Sequence, residues 1–167
     1  MKSRISIAIL LTLLMMCACA PGGHRGNGDD NYFSAYHTFD RMEWPYQSTL
    51  TFTADTLRDS VAAGRIAVTL RHTSDYPFSN IWLELSVRPD SLADTPDYVD
   101  TLEITLADPF GRWYGSGMGT SFLISDTLPA IRTIHKGASI SLRHIMRLDT
   151  LTEIEQAGVA FLPTDSR

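Results

Sequence analysis

Apolar and polar residues alternate one by one along several short stretches of the chain. Because successive side chains of a β-strand point to opposite faces, this period of two predicts strands with one buried face. At least six strands are predicted in this way. Their inward positions are Leu50 and Phe52; Ile66, Val68 and Leu70; Ile81, Leu83, Leu85 and Val87; Leu102, Ile104 and Leu106; Ile140, Leu142 and His144; and the run 159–162.

Turn-forming residues separate these stretches, as in Ala63-Gly64 and Lys136-Gly137. Only residues 56–63 and 151–156 fit short helices, and neither segment is long enough for the crossover that joins parallel strands. We therefore predict an all-β fold, an antiparallel β-sandwich of immunoglobulin-like or jelly-roll character. The length of the chain is sufficient for one such domain.

The N-terminus has the pattern of an export signal. Lys2 and Arg4 precede an apolar stretch over residues 5–16, which is shorter than the ~20 residues of a transmembrane helix. Cys17 and Cys19 follow, and they are the only cysteines in the chain. The small residue Ala18 before Cys19 fits signal peptidase II cleavage, so Cys19 is favoured as the lipidation site and Cys17 is the lesser alternative. A role for the two cysteines as buried thiols or as a disulfide is disfavoured.

These features predict three regions. Residues 1–18 form a lipoprotein signal peptide, residues 19–31 a lipidated flexible tether rich in Gly, Asp and Asn, and residues 32–167 the β-sandwich domain. The lipid on Cys19 would attach the protein to a membrane without spanning it. After the signal is removed, 12 basic and 19 acidic residues remain, a formal charge of −7, which disfavours nucleic acid as a partner.

The residue pattern predicts no metal, cofactor or catalytic site. The five histidines are scattered without metal-binding spacing, and His144 is interpreted as a hydrogen-bonded core residue and His72 as a turn cap beside Asp75. The aspartates of residues 90–100 do not follow a calcium-loop pattern. Gly115, Gly117 and Gly119 do not match a phosphate loop or a nucleophile elbow, and their alternation indicates a strand that another chain segment approaches closely.

Three segments together resemble the gliding motility lipoprotein (GldH) family of Bacteroidetes. They are LRHTSDYPFSNIWLEL at residues 70–85, DTLEITLADPFGRWYGSGMG at residues 100–119, and SLRHIMRLDTLTEIEQAG at residues 141–158. The resemblance implies an accessory lipoprotein of the gliding and type IX secretion machinery, with protein partners in the cell envelope. Between Cys19 and Asn31 the only acidic residues are Asp29 and Asp30. In Bacteroidetes an acidic run directly after the lipidated cysteine tends to accompany export to the cell surface, so its absence here favours a domain that faces the periplasm.

We therefore expect a non-catalytic interaction component, with a glycan- or peptide-binding module as the alternative. The two differ in the surface that they need: a glycan platform requires several aromatic residues on one open face, and a protein interface requires an apolar patch with a polar rim. The predicted partner-binding residues are Arg112, Trp113 and Tyr114, together with Trp82, which alternates with inward Ile81 and Leu83.

Overall fold

The structure is a computed structural model that describes residues 31–90 and 92–164. The predicted signal peptide, Cys19, Cys17 and all of the predicted tether except Asn31 lie outside the described residues. None of the described residues belongs to a helix long and apolar enough to cross a membrane.

The described residues form strands joined by turns, in agreement with the predicted all-β fold. In chain order the strands are β1 (Phe33–Thr38), β2 (Glu43–Pro45), β3 (Leu50–Thr53), β4 (Val61–Thr73), β5 (Asn80–Arg88), β6 (Tyr98–Thr105), β7 (Ser116–Met118), β8 (Ser121–Thr127), β9 (Arg132–His135), β10 (Ser139–His144), β11 (Thr150–Thr152) and β12 (Ile154–Pro163).

The prediction of two short helices was wrong. Residues 61–63 begin β4, where they pair with β9, and residues 151–156 are divided between β11 and β12. Glu153 separates the last two strands with a φ of 67°, a left-handed conformation that a helix cannot contain. Pairing with neighbouring strands therefore overrides the weak helical pattern of both segments.

The strands are arranged in two main antiparallel sheets and a small third one. The first sheet has the order β1-β12-β4-β8-β7, and β9 pairs with the beginning of β4. The second sheet has the order β3-β10-β5-β6, and β2 pairs with β11 as a two-stranded sheet. Each strand pairing is antiparallel, as the predicted sandwich requires.

The core lies between the inner faces of the two main sheets. On β5 the four predicted inward residues are buried, while the residues between them are half-buried or exposed. On β4 the inward row runs from Ile66 to His72. Each large aliphatic side chain in these rows stabilises the fold by about 1.5–3 kcal/mol through removal of apolar surface from water. The predicted β-sandwich is confirmed by this arrangement.

We call the end of the sandwich at which the chain enters β1 the proximal end, and the opposite end the distal end. Asn31 precedes β1 at the proximal end, where its side chain bonds to the side chain and backbone N–H of Asp59. The proximal end also contains residues 54–60, 92–97 and 136–138. The distal end contains the loops and short strands over residues 39–49, 74–79, 106–120 and 145–153.

Trp44 closes the core at the distal end. Its side chain is fully buried and packs against the rings of Phe39 and His144, with ring-centre distances of 5.3 and 5.5 Å. Its Nε1–H donates a hydrogen bond to the Ser48 carbonyl at 3.0 Å. His144 Nε2 donates to the Trp44 carbonyl at 3.1 Å, in agreement with its interpretation as a core residue. The small β2/β11 sheet holds this tryptophan in place by pairing it with Leu151.

We predict that Trp44→Ala lowers the free energy of unfolding by about 3–5 kcal/mol, because it removes a fully buried aromatic side chain and leaves a cavity. Trp82→Ala is the matched control, because Trp82 is 40% exposed and packs less. Denaturant unfolding of the two variants measures the difference. Equal losses for both tryptophans would contradict the assignment of Trp44 to the core.

Candidate interaction surface

The segment that follows β6 forms a narrow arm at the distal end of the sandwich. Leu106 N–H donates to the Ser79 carbonyl at 2.7 Å, and Tyr114 N–H donates to the Leu106 carbonyl at 2.7 Å. Ala107 and Trp113 face each other in an antiparallel bridge. The two sides of the arm are thus joined to each other and to the body of the protein, and residues 108–112 form its tip.

Asp108 organises this tip. Its Oδ1 accepts hydrogen bonds from the backbone N–H groups of Phe110 and Arg112, both at 2.9 Å, and its carbonyl accepts from Gly111 N–H at 2.9 Å. These bonds to Arg112 and Phe110, together with the Arg112 charge, hold the pKa of Asp108 below its usual range. Gly111 has a φ of 81°, which glycine adopts without strain. The tip therefore has a defined conformation before any partner binds.

The three consecutive predicted partner residues lie on the returning side of this arm. Arg112 is 84% exposed, and its Nε lies 3.2 Å from Asp108 Oδ2. Tyr114 is 43% exposed. Trp113 is half-buried, because its ring packs at 4.7 Å from His72 and 6.1 Å from Phe122. Arg112 and Tyr114 are accessible to a partner, whereas Trp113 mainly covers the edge of the core.

Trp82 lies on the second sheet, away from the arm in sequence and on a regular strand. It pairs with Glu103 on β6, and its backbone N–H contacts Met146 Sδ at 3.4 Å. Its neighbours Ile81 and Leu83 are buried, so Trp82 faces outward as the alternation predicts. The predicted set is therefore divided between an arm at the distal end and the outer face of the second sheet.

The two most exposed apolar residues at the distal end were not among the predicted partner-binding residues. Phe110 is 95% exposed at the tip of the arm, and Met118 is 89% exposed at the end of β7. The signal for Phe110 was present in the Asp-Pro-Phe-Gly sequence, where a large aromatic residue occupies a turn that usually contains polar residues.

The alternate glycines near this arm have the predicted role at two of three positions. A Cβ on Gly115 would collide with the Leu123 carbonyl, and one on Gly117 would lie 2.8 Å from the Ser121 carbonyl and 3.0 Å from the Phe122 ring. The close approach of β8 to β7 is thereby confirmed. Gly119 instead has open space around it and a φ of 66°, which the β7–β8 turn requires.

His72 lies inside an aromatic cluster beneath the arm, and its interpretation as a turn cap was wrong. The ring is fully buried next to Tyr76, Trp113 and Phe122, and Nδ1 donates to the Thr73 carbonyl at 2.8 Å. Thr73 is the residue that caps the turn, because its hydroxyl accepts from Asp75 N–H at 3.2 Å. The alternation places His72 inward on β4, and that signal outweighed its position near a turn.

Burial is the main influence on the two core histidines. Burial lowers the pKa of His72, and the bond to the Thr73 carbonyl and the charge of Glu155 oppose this effect. Burial likewise lowers the pKa of His144 against its bonds to the backbone of Trp44 and Pro45. Within residues 31–90 and 92–164, no three His, Cys, Asp or Glu side chains are grouped so that they could hold a metal ion.

Each outer sheet face carries a shallow groove. The groove on the first sheet, of about 400 Å³, is lined by Tyr36, Thr69, Arg71, Gln156 and Gly158 among others. The groove on the second sheet is smaller, about 170 Å³, and mainly polar. Arg143 there forms a two-point ion pair with Glu84 at 2.7 and 2.9 Å. Tyr36 is the single aromatic residue that lines either of these grooves, which is fewer than a glycan platform requires.

These features define a β-sandwich protein with an exposed apolar arm at one end. The family model described as GldH lipoprotein matches residues 31–161, and the chain belongs to this family. The resemblance found in the sequence is thereby confirmed. A search of curated proteins finds no significant match.

The solved structures that match this chain have TM-scores below 0.5 and little sequence identity with it. Eiger TNF from S. frugiperda is 6% identical with a TM-score of 0.39, over 82% of this chain and 96% of that one. Dimeric latent PorU from Porphyromonas gingivalis is 9% identical with a TM-score of 0.34, over 80% of this chain and 13% of that one. The Cocksfoot mottle virus structure is 9% identical with a TM-score of 0.32, over 89% of this chain and 91% of that one.

We predict that the protein loses stability as the pH falls below about 6.5, the ordinary histidine pKa. The folded state holds His72 and His144 neutral, whereas the unfolded chain takes up their protons below that pH. Each histidine then reduces the free energy of unfolding by up to about 1.4 kcal/mol per pH unit, and its full contribution remains above pH 6.5.

Denaturant unfolding between pH 5 and pH 8, roughly the range in which histidine titrates, measures this slope. His72→Phe should reduce the slope whatever its effect on absolute stability, and the exposed His135→Gln is the control that should not. A slope that stays the same in His72→Phe would disprove the assignment.

We also predict different results for two neighbouring residues of the arm. Trp113→Ala should lower the free energy of unfolding by about 1–3 kcal/mol, because it uncovers His72 and Phe122. Tyr114→Ala should change it by less than about 0.5 kcal/mol, as is usual for surface positions. Thermal unfolding of the single variants distinguishes them, and a large loss for Tyr114→Ala would assign that ring to the core as well.

Proposed function

We propose that this protein is a non-catalytic, lipid-anchored component of the bacterial cell envelope that binds a protein partner in the gliding motility or type IX secretion machinery. The observation that carries the proposal is the match of the GldH lipoprotein family over residues 31–161. Membership of a lipoprotein family supports attachment to an envelope membrane. The machinery, the partner and a periplasmic orientation belong to the proposal.

The N-terminal sequence supplies the means of attachment. The apolar stretch over residues 5–16 directs export, and Cys19 carries the lipid at the new N-terminus that removal of residues 1–18 creates. More than one acyl chain on this residue makes the anchoring stable, since each buried CH₂ contributes about 0.8 kcal/mol. Residues 19–31 then link the lipid to the proximal end, where Asn31 bonds to Asp59.

The surface of the domain supports an interaction role. The distal arm exposes two aromatic side chains, Phe110 and Tyr114, and the exposed Arg112 provides a polar rim beside them. Aromatic residues and arginine are the types that contribute most to protein interfaces. The two outer grooves have a single lining aromatic between them, which favours a protein partner over a glycan.

The proposed role is tested by crosslinking the intact lipoprotein in the native envelope and identifying the attached proteins. We expect a defined motility or secretion component to be captured, and we expect deletion of the gene to impair gliding or protein export in a way that the wild-type gene restores. Normal gliding and export in the deletion strain, with no captured envelope protein, would refute the proposed function.

We predict that Cys19→Ser abolishes labelling by a fatty-acid probe and gives an uncleaved or mislocalised product, because the acylated thiol is lost. Cys17→Ser is the matched control and should retain both labelling and membrane attachment. If Cys17→Ser abolished labelling and Cys19→Ser did not, lipidation would have to be assigned to Cys17.

A further inference from the structure

Phe110 is a large apolar side chain that the fold leaves in water. It is 95% exposed at the tip of the distal arm. Complete burial of such a side chain is favourable by about 1.5–3 kcal/mol, and the isolated domain does not obtain this stabilisation. Exposed apolar side chains are common singly, so the surroundings of Phe110 decide whether its exposure has a function.

The conformation of the tip is already ordered. Four backbone hydrogen bonds join Asp108 to the residues up to Arg112: two to its carboxylate, one to its carbonyl and one from its own N–H. Pro109 fixes one further backbone angle. Because the ordering of loops opposes association, a tip that is ordered in advance loses little entropy when Phe110 binds.

The arm is also electrically neutral in a protein with a large acidic excess. Residues 106–120 contain a single acidic and a single basic residue, Asp108 and Arg112, and these two form an ion pair at 3.2 Å. The other large apolar side chains exposed within residues 106–120 are Tyr114 and Met118. Such a surface matches an uncharged apolar pocket, and it has no cluster of basic residues to attract anionic lipids.

The position of the arm indicates which envelope component it meets. Asn31 leads into β1 at the proximal end, and Phe110 lies at the distal end, beyond the far ends of the same strands. A tether that joins the proximal end therefore presents Phe110 on the side away from its attachment. This geometry favours a partner protein over the membrane that holds the anchor.

We propose that Phe110 inserts into an apolar pocket of a protein partner, with Tyr114 on the returning side of the arm providing a further apolar contact. This inference rests on the proposed function, because it names the part of the domain that binds the envelope partner. Phe110 is the central contact, and Arg112 lies at the rim. Since the ion pair between Arg112 and Asp108 leaves the arm neutral, the affinity should depend weakly on ionic strength.

The first experiment places a photoreactive benzoylphenylalanine at position 110 of the full-length lipoprotein in its native envelope. Leu92 is the matched control position, because it is an apolar residue with 90% exposure at the proximal end. We expect a defined protein adduct from position 110 and not from position 92. A lipid adduct from position 110, or the same protein adduct from both positions, would overturn the inference.

The second experiment measures the affinity of the purified lipoprotein for the partner that crosslinking identifies. Phe110→Ser should weaken binding about 30-fold or more, the effect of truncating an interface hot spot, whereas Leu92→Ser should leave it unchanged. Both variants should unfold at the wild-type temperature, since both side chains are exposed.

The outcomes separate this inference from the proposed function. If the partner binds Phe110→Ser as tightly as wild type, the role of Phe110 is refuted and the proposed function stands. If wild-type protein captures no envelope partner by any crosslinking chemistry, the proposed function fails, and the inference about Phe110 fails with it.

Discussion

The pairing of β4 with its neighbours is the constraint on which the rest of the structure depends. This strand of 13 residues pairs with β12 along one edge and with β9 and then β8 along the other. Its inward row forms one wall of the core, and the other wall is supplied mainly by β5 and β10. A strand that is hydrogen-bonded on both sides cannot slip by one residue without turning its whole apolar row toward water. The registers of β12, β8 and β9, and through β12 that of β1, are therefore set by one buried row.

How much of this fold can be predicted from the sequence depends on the same rows of buried inward residues. Alternation identified β4, β5, β6 and β10, because each has at least three inward positions between two sheets. It did not identify β1, β2, β8, β9 and β11. Strands β2, β9 and β11 have only three or four residues, and β1 and β8 have burial patterns in which buried and exposed positions do not alternate. The false helices arose where strands begin or change partner, since strand pairing depends on residues far away in the chain and a local pattern does not contain them.

The exposure of the candidate partner-binding residues could be predicted only in part, for a related reason. Arg112 and Tyr114 were identified by residue type, and the structure leaves both accessible, whereas Trp113 packs onto His72. Residue type alone does not determine whether an aromatic side chain at a turn folds back onto the core or projects from it. That depends on the position of the arm against β4 and β8. Phe110 is exposed at a tip that the bonds around Asp108 hold in one conformation, a feature that only the three-dimensional arrangement reveals.

The outer edges of the two sheets have a consequence for a protein attached to a membrane. Lipid attachment confines many copies to two dimensions, where edge strands meet often and can join into aggregates. Two of the four edges, β3 and β7, are only four and three residues long, and β7 contains a glycine. The longer edge strand β6 carries the exposed Glu103, so that identical copies repel one another when their edges meet. These three edges would limit self-association when many copies of the domain are crowded on a membrane surface.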